Sequence, residues 1–410
     1  MLNLRDAVTI GLGAMIGAGV FSAMAPAAAV ARSGLPIALA LAALVAYCNA
    51  TSSARLAARY PRAGGTYVYG RERLGPFWGY LAGWCFVVGK TASCAAMALT
   101  VGGYAWPERA HLVAVIAVVV LTAVNLFGIE KSLAVTRLLV LVVLVILLVV
   151  VVTAAPTLAV RPAAWFAGTG GTWWGVVQGA GLLFFAFAGY ARIATLGEEV
   201  CDPARTIPRA ITLALAITLG AYLLVALAAA GTLGVDALAV TPAYLAQTVR
   251  EAGYGWLSPV VSVGAVVAAV GSLLSLILAV SRTGLAMARD AYLPRVLSHV
   301  DHRRGVPRRL ELVIGVMVAG VAATTDLRGA IGFSSFAILL YYAIANVAGA
   351  TLAPQEGRPP RWVGVVGLAG CLLLTVALPA TAVLSGLVVI VAGIGWYLVR
   401  AAVPRVPQER

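Results

Sequence analysis

Charge is what this sequence has least of. Only 11% of its 410 residues are Asp, Glu, Lys or Arg, and 62% are hydrophobic; a soluble globular chain carries about 25% charged residues. That balance excludes a soluble enzyme or binding protein and leaves a polytopic membrane protein. Histidine is nearly missing, and His111, His299 and His302 fall in or beside predicted loops. There is no HExxH pattern, no histidine inside an apolar run and no acidic pair at the middle of one. An intramembrane enzyme would need such a nucleophile, metal site or carboxylate pair, so none is expected, nor any cofactor. Cys48, Cys85, Cys94, Cys201 and Cys371 follow no ligand spacing, and four lie in apolar runs. They read as small core residues, with no metal site or disulfide framework. No cleavable leader is apparent; the first apolar run is expected to act as the insertion signal.

What the chain has instead is long apolar stretches. Runs near 6–31, 35–58, 77–105, 110–128, 133–155, 174–199, 208–233, 257–288, 310–326, 329–353, 362–380 and 382–400 give twelve candidate membrane helices. An even number puts both termini on one side. Lys and Arg then choose the side. Of the loop cations, only Arg32, Arg109, Arg161, Arg250 and Arg328 fall on the far side, while twenty-two fall with the termini. Both termini are therefore expected in the cytoplasm, with the chain in the cell inner (cytoplasmic) membrane. The net charge of +14 orients the protein toward anionic lipid and does not mark a nucleic-acid surface.

Within the first run, Gly11 to Phe21 reads GLGAMIGAGVF, with glycines at 13, 17 and 19. Such density weakens a helix where the bilayer midplane should fall. Irregular backbone at that depth survives only if it is buried in protein or lines a cavity. One reading is a broken helix whose free N–H groups hold an anion such as a carboxylate; the other is close helix packing through small residues. A second glycine-bearing break, FFAFAGYARIATL at 184–196, lies about 170 residues on, in the sixth span. Paired interrupted spans at corresponding positions point to an inverted repeat around a transport site. The expected architecture is all-α: five spans in 1–155, five inverted in 156–353, and two peripheral spans with a tail in 354–410.

At these residues the chain resembles the amino acid–polyamine–organocation (APC) family of permeases. The resemblance runs through GLGAMIGAGVF, PRAGGTYVYGRERLGPFWGYLAGW (61–84), FFAFAGYARIATLGEEVCDPARTIPRAI (184–211) and GSLLSLILAVSRTGLAMARDAYLP (271–294), in order along nearly the whole chain. It implies a secondary active transporter working by alternating access. Gly17, Ala18 and Gly19 would donate backbone N–H groups to a substrate carboxylate. The carbonyls of Ile16, Phe185 and Ala188, beside Gly189, would accept from its ammonium. Phe185 matches the position that closes over substrate, although bundle packing explains a phenylalanine there equally.

Two departures matter. Many relatives place an acidic residue just after the span-six glycine, where this chain has Ala191 and then Arg192. Many proton-coupled relatives carry a lysine midway along span five, where this chain has Val143. The intramembrane lysine here is Lys90, in the middle of span three, too deep to snorkel. It reads either as the coupling residue, a protonation switch or fixed charge, or as a structural lysine bonded to carbonyls of the broken helices. Arg192 is a gate candidate with Glu198 or Glu199. Ser272 and Ser275, one turn apart in span eight, are a candidate sodium site, though serine in such a helix often bonds its own i−4 carbonyl. Tyr342 and Asn346 on span ten are further cavity candidates. The expected substrate is a neutral L-amino acid, moved with protons or by exchange in preference to sodium. A transporter of amines or organic acids, and a channel or sensor on the same fold, stay open.

Overall fold

The computed structural model describes residues 2–61, 64–127, 133–160, 170–194, 196, 199–301 and 306–402. It is all helix but for short connections; among the described residues the only β pairings are the isolated bridges Leu2–Val200 and Asp301–Val306. The first predicted span is three helices end to end, α1 (Leu4–Met15), α2 (Ala18–Ser22) and α3 (Met24–Ala31). Then come α4 (Leu35–Arg59), the short α5 (Thr66–Leu74), α6 (Pro76–Ala105), α7 (Ala110–Leu126) and α8 (Leu133–Val160). The sixth span is α9 (Trp173–Phe187), a 3₁₀ turn (Ala188–Tyr190) and α10 (Ala191–Ala194). After it run α11 (Pro203–Leu233), α12 (Val235–Val240), α13 (Tyr244–Glu251), α14 (Ser258–Arg289), α15 (Arg308–Thr324), α16 (Leu327–Ala350), α17 (Arg361–Ala377) and α18 (Ala380–Ala402).

Among the described residues, ten helices are long and apolar enough to cross a membrane. They sort into a core and a rim. The apolar window of α6 is 89% buried and that of α16 83%, whereas that of α18 is only 22% buried. The rim exposes aliphatic side chains such as Val119, Leu138, Leu148, Val316 and Val388. Exposure on that scale suits hydrocarbon, not water.

Helix starts follow the local chemistry. Asn3 and Asp6 close a reciprocal capping box on α1, each side chain accepting from the other's backbone N–H at 3.0 and 3.1 Å. Thr172 and Asp326 cap α9 and α16 by accepting from Gly175 and Gly329 N–H, both at 3.0 Å. Proline opens α6 and α11, where its missing N–H costs nothing.

The end of the bundle at which α1 begins is rich in arginine, and two carboxylates gather it. Asp290, just past α14, accepts from the Tyr67 hydroxyl and, at 2.6 Å, from Arg71 Nη1. Both donors lie on α5, so the short helix is pinned to α14. Thr66 N–H at its start donates to the Tyr341 hydroxyl on α16 at 2.9 Å. Glu356, in the turn after α16, accepts from Arg59 at 2.8 Å, from Arg73 at 2.6 Å and from Ala353 N–H at 2.9 Å. These donors, the backbone N–H first, hold its carboxyl down at about 2, below its usual 4.5. A carboxyl depressed in the folded state stabilises above its unfolded pKa and loses that contribution as pH falls toward the folded value. Between about pH 5 and pH 3 the thermal midpoint should therefore fall, and Glu356→Gln should flatten that part of the profile; a melting series of the two proteins in detergent checks it.

Candidate functional site

The two broken helices meet. Ile16 ends α1, its N–H bonded to Leu12 O at 2.7 Å, and Gly17, with ψ near −121°, turns the backbone before α2 begins. In the sixth span Ala188 ends α9 by donating to Phe184 and Phe185 carbonyls. A Cβ on Gly189 would lie 2.3 Å from Ala14 O, and one on Gly19 would lie 2.8 Å from Ala186 Cα. Backbone thus touches backbone on both sides, and only glycine allows the approach. Ile16, Gly17, Ala18, Gly19, Phe185 and Ala188 are buried, and Gly189 is half-buried.

Breaking a helix frees carbonyls, and in this bundle side chains from neighbouring helices take them up. The Tyr222 hydroxyl on α11 reaches Met15 O at 2.6 Å and Ala186 O at 3.0 Å, so one side chain bridges both breaks. Tyr244 on α13 donates to Val20 O, and Tyr104 on α6 to Phe21 O at 3.3 Å. Lys90, 7% exposed, donates from Nζ to Ala188 O at 3.4 Å. One of the three ammonium donors thus faces the carbonyl at the sixth-span break.

Ser272 comes to the same place: a Cβ on Gly17 would fall 1.8 Å from its Oγ. Ser275 instead bonds its own i−4 carbonyl, Gly271 O, at 3.0 Å and is exposed. Arg192 is exposed just below the break. Glu199 is exposed in a turn, where its carbonyl accepts from Leu2 N–H at 2.7 Å; Glu198 lies outside the described residues. Asn346 is held between α16 and α4, its Nδ2 donating to Asn49 Oδ1 at 2.6 Å while its Oδ1 accepts from Ser52 at 2.7 Å. Tyr342 packs in an aromatic group with Tyr190, Phe184 and Tyr341. On the side away from the arginine-rich end, Phe21 and Tyr104 meet edge-on at 5.8 Å beneath a cavity of about 160 Å³ walled by Leu99, His111, Pro242 and Asp326.

Sequence reasoning missed Tyr104, Tyr222 and Tyr244, because a Tyr within an apolar run looks like any large core residue. It also passed over Glu311 in the first turn of α15, which is fully buried. Ser281 Oγ on α14 donates to Leu278 O at 2.9 Å and also reaches Glu311 Oε1 at 3.3 Å.

The fold is that of an all-helical, multi-pass membrane protein built around two mutually braced, interrupted helices, and its relatives are transporters, not enzymes. The chain belongs to the amino acid permease family, whose description, Amino acid permease, matches residues 2–406. It is 63% identical over 404 residues to an uncharacterized transporter of Mycobacterium tuberculosis, covering 98% of this chain and 92% of that one. Human cationic amino acid transporter 4 is 29% identical over 398 residues, with 88% of this chain aligned to 61% of the human protein. The branched-chain amino acid permease BcaP of Bacillus subtilis is 24% identical over 384 residues, 88% of this chain and 82% of that protein.

Two substitutions test the bracing. Gly189→Ala forces a methyl against the Ala14 carbonyl and should cost about 1–3 kcal/mol of stability through overpacking. Tyr222→Phe removes the single hydroxyl proton that lies between the Met15 and Ala186 carbonyls, a loss of about 1–3 kcal/mol. Thermal melts of the purified variants give both values, and a neutral result for Tyr222→Phe would remove it as the bridge.

Proposed function

We propose that this chain is a secondary active amino acid transporter of the cytoplasmic membrane, working by alternating access, with twelve spans and both termini in the cytoplasm. Residues 1–155 and 156–353 are the two inverted repeats, and 354–410 holds the peripheral spans and tail. The observation that carries the reading is the paired break: Gly189 lies against the end of α1, Gly19 lies against α9, and Tyr222 joins the two. A small zwitterion needs a cluster of donors and a cluster of acceptors a few Å apart, and two opposed helix breaks supply both from backbone. Gly17, Ala18 and Gly19 donate to the carboxylate. Ile16, Phe185 and Ala188, beside Gly189, provide the acceptors, and Phe185 closes over the substrate. Arg192 with Glu198 and Glu199 gates the cytoplasmic side.

The substrate is a neutral L-amino acid. From Ala7 to Arg71, and again from Lys131 to Gly197, the sequence has no Asp or Glu, so neither broken span brings a carboxylate to its break to hold a cationic side chain. The naming of BcaP for branched-chain amino acids supports this, whereas that of the human relative for cationic ones favours a cationic substrate. Lys90 is the coupling residue. Its bond to Ala188 O makes the charge on the lysine and the shape of the break interdependent. Protons or exchange fit better than sodium, because Ser275 already bonds its own helix, leaving Ser272 as the sole serine of the candidate pair beside Gly17.

Uptake into proteoliposomes, with a panel of amino acids and an imposed pH gradient, tests this for the native protein and Lys90→Met. A neutral amino acid should accumulate under an inward proton gradient. Lys90→Met should still bind it and stop responding to pH. Full pH dependence in the variant makes Lys90 structural. Accumulation of arginine or lysine alone overturns the neutral assignment, and binding of no amino acid moves the panel to amines and organic acids.

A further inference from the structure

Helix α14 has two working faces. Ser272 on one side presses on Gly17 at the first break. Ser281, nine residues on, is half a turn away in azimuth and looks instead at α15, where it reaches Glu311. Glu311 and Ser281 are both 0% exposed. Glu311 Oε2 has no hydrogen-bond partner, and no ion pair among the described residues includes the side chain. One turn further along α15, Gly315 abuts Thr122 of α7, whose buried Oγ1 is likewise without a partner. Ser281 has a single proton to give, and Leu278 O at 2.9 Å is nearer than Glu311 Oε1 at 3.3 Å. The contact to Oε1 is therefore best made by a carboxyl that carries its own proton and donates it to Ser281 Oγ. A buried carboxylate carries a desolvation cost that a proton removes; the Arg282 charge opposes this from beside it, without a direct ion pair to Glu311 among the described residues.

We propose that Glu311 is a proton-binding carboxyl of the transport cycle: protonated while α14 and α15 pack as they do here, and ionised when α14 shifts and water enters between them. The proton passes between the carboxylate and water at the arginine-rich end, forming a carboxylic acid and returning it to carboxylate, with no other bond made or broken. The same helix that leans on Gly17 holds the serine that partners Glu311, so movement at the substrate break changes how well the proton is held. The charged groups around it are few. Arg282, next to Ser281 on α14, is exposed, and its charge acts on Glu311. Arg308 and Arg309 on α15 and Arg295 in the preceding turn are exposed. Between Leu112 and Phe127, α7 has no ionisable side chain, and α6 contributes Cys85, Lys90 and Cys94 near its middle.

This inference rests on the transporter reading, and its test separates the two. Infrared difference spectra of the reconstituted native protein, titrated from about pH 5 to about pH 10, should show the carbonyl stretch of a buried protonated carboxyl disappearing as pH rises. Glu311→Gln should lack that band, and Ser281→Ala should keep it with a shifted midpoint. In vesicles, Glu311→Gln should lose accumulation driven by a proton gradient. If Glu311→Gln does not fold, the shift in Ser281→Ala decides. An infrared titration with no such band, or one unchanged in both variants, overturns the proposal even where transport is found. If the band behaves as expected and no amino acid is moved, it is the transport reading that fails.

Discussion

The structure depends on one constraint: a helix broken inside an apolar bundle must have its freed backbone groups satisfied from within the protein. Two spans are broken, and each break could cost several kcal/mol per unsatisfied group in hydrocarbon. The arrangement of neighbouring helices follows from meeting that cost. α11 brings Tyr222 between the breaks, α13 brings Tyr244 to Val20 O, and α6 brings both Tyr104 and Lys90. These donors come from helices far apart in sequence. The breaks are therefore a property of the whole fold, and an isolated peptide with this glycine pattern would have no reason to keep them.

Small residues make the arrangement possible. Gly19 and Gly189 let the two interrupted spans approach to backbone contact. Packing here is what glycine would give in any tight helix pair, and the bland reading of GLGAMIGAGVF is in that sense also correct. What separates a braced break from plain close packing is the polar service around it: two simply packed helices would not need a tyrosine hydroxyl reaching a carbonyl on each. At the arginine-rich end the logic is reversed. There the backbone is regular, and carboxylates hold it: Asp290 ties α5 to α14, and Glu356 ties α4 and α5 to the turn after α16. A surface ion pair adds little by itself, but each of these carboxylates takes several donors at once, one of them a backbone N–H at Glu356.

Much of this was legible in the sequence. The apolar runs are long, and among the described residues helix falls in each of them, ten helices being long and apolar enough to cross a membrane. Glycine density marked both breaks to within a few residues. The limits came from the kind of information periodicity carries. A tyrosine hydroxyl adds one polar atom to a large apolar side chain, so Tyr222 and Tyr244 are invisible until it is known which carbonyl they face. Lys90 stood out as an isolated charge at depth, and one of its two readings bonded it to broken-helix carbonyls; which carbonyl was not legible, because Ala188 is 98 residues away. Ser272 and Ser275 look equivalent at one turn's spacing; three-dimensional packing divides them, sending one to Gly17 and the other back onto its own helix. Glu311 was missed because it sits at the edge of an apolar run beside Arg308 and Arg309, where a carboxylate normally reads as a solvated first-turn residue that suits the helix dipole.

That last case shows how burial changes the meaning of a residue. Arg308 and Arg309 are exposed while Glu311, two positions on, is buried against Ser281 of α14. A helix that turns one face to solvent and the next to a packed junction converts sequence neighbours into chemically unlike groups. The consequence falls on α14, which is pressed on one side by the first-span break and on the other by a buried carboxyl. A rigid helix cannot move relative to Gly17 and stay fixed relative to Glu311 unless α15 moves with it. On the proposed reading, the substrate break and the proton site therefore share a mechanical element, and Lys90 on α6, which packs against the same α14, belongs to the same set of moving contacts.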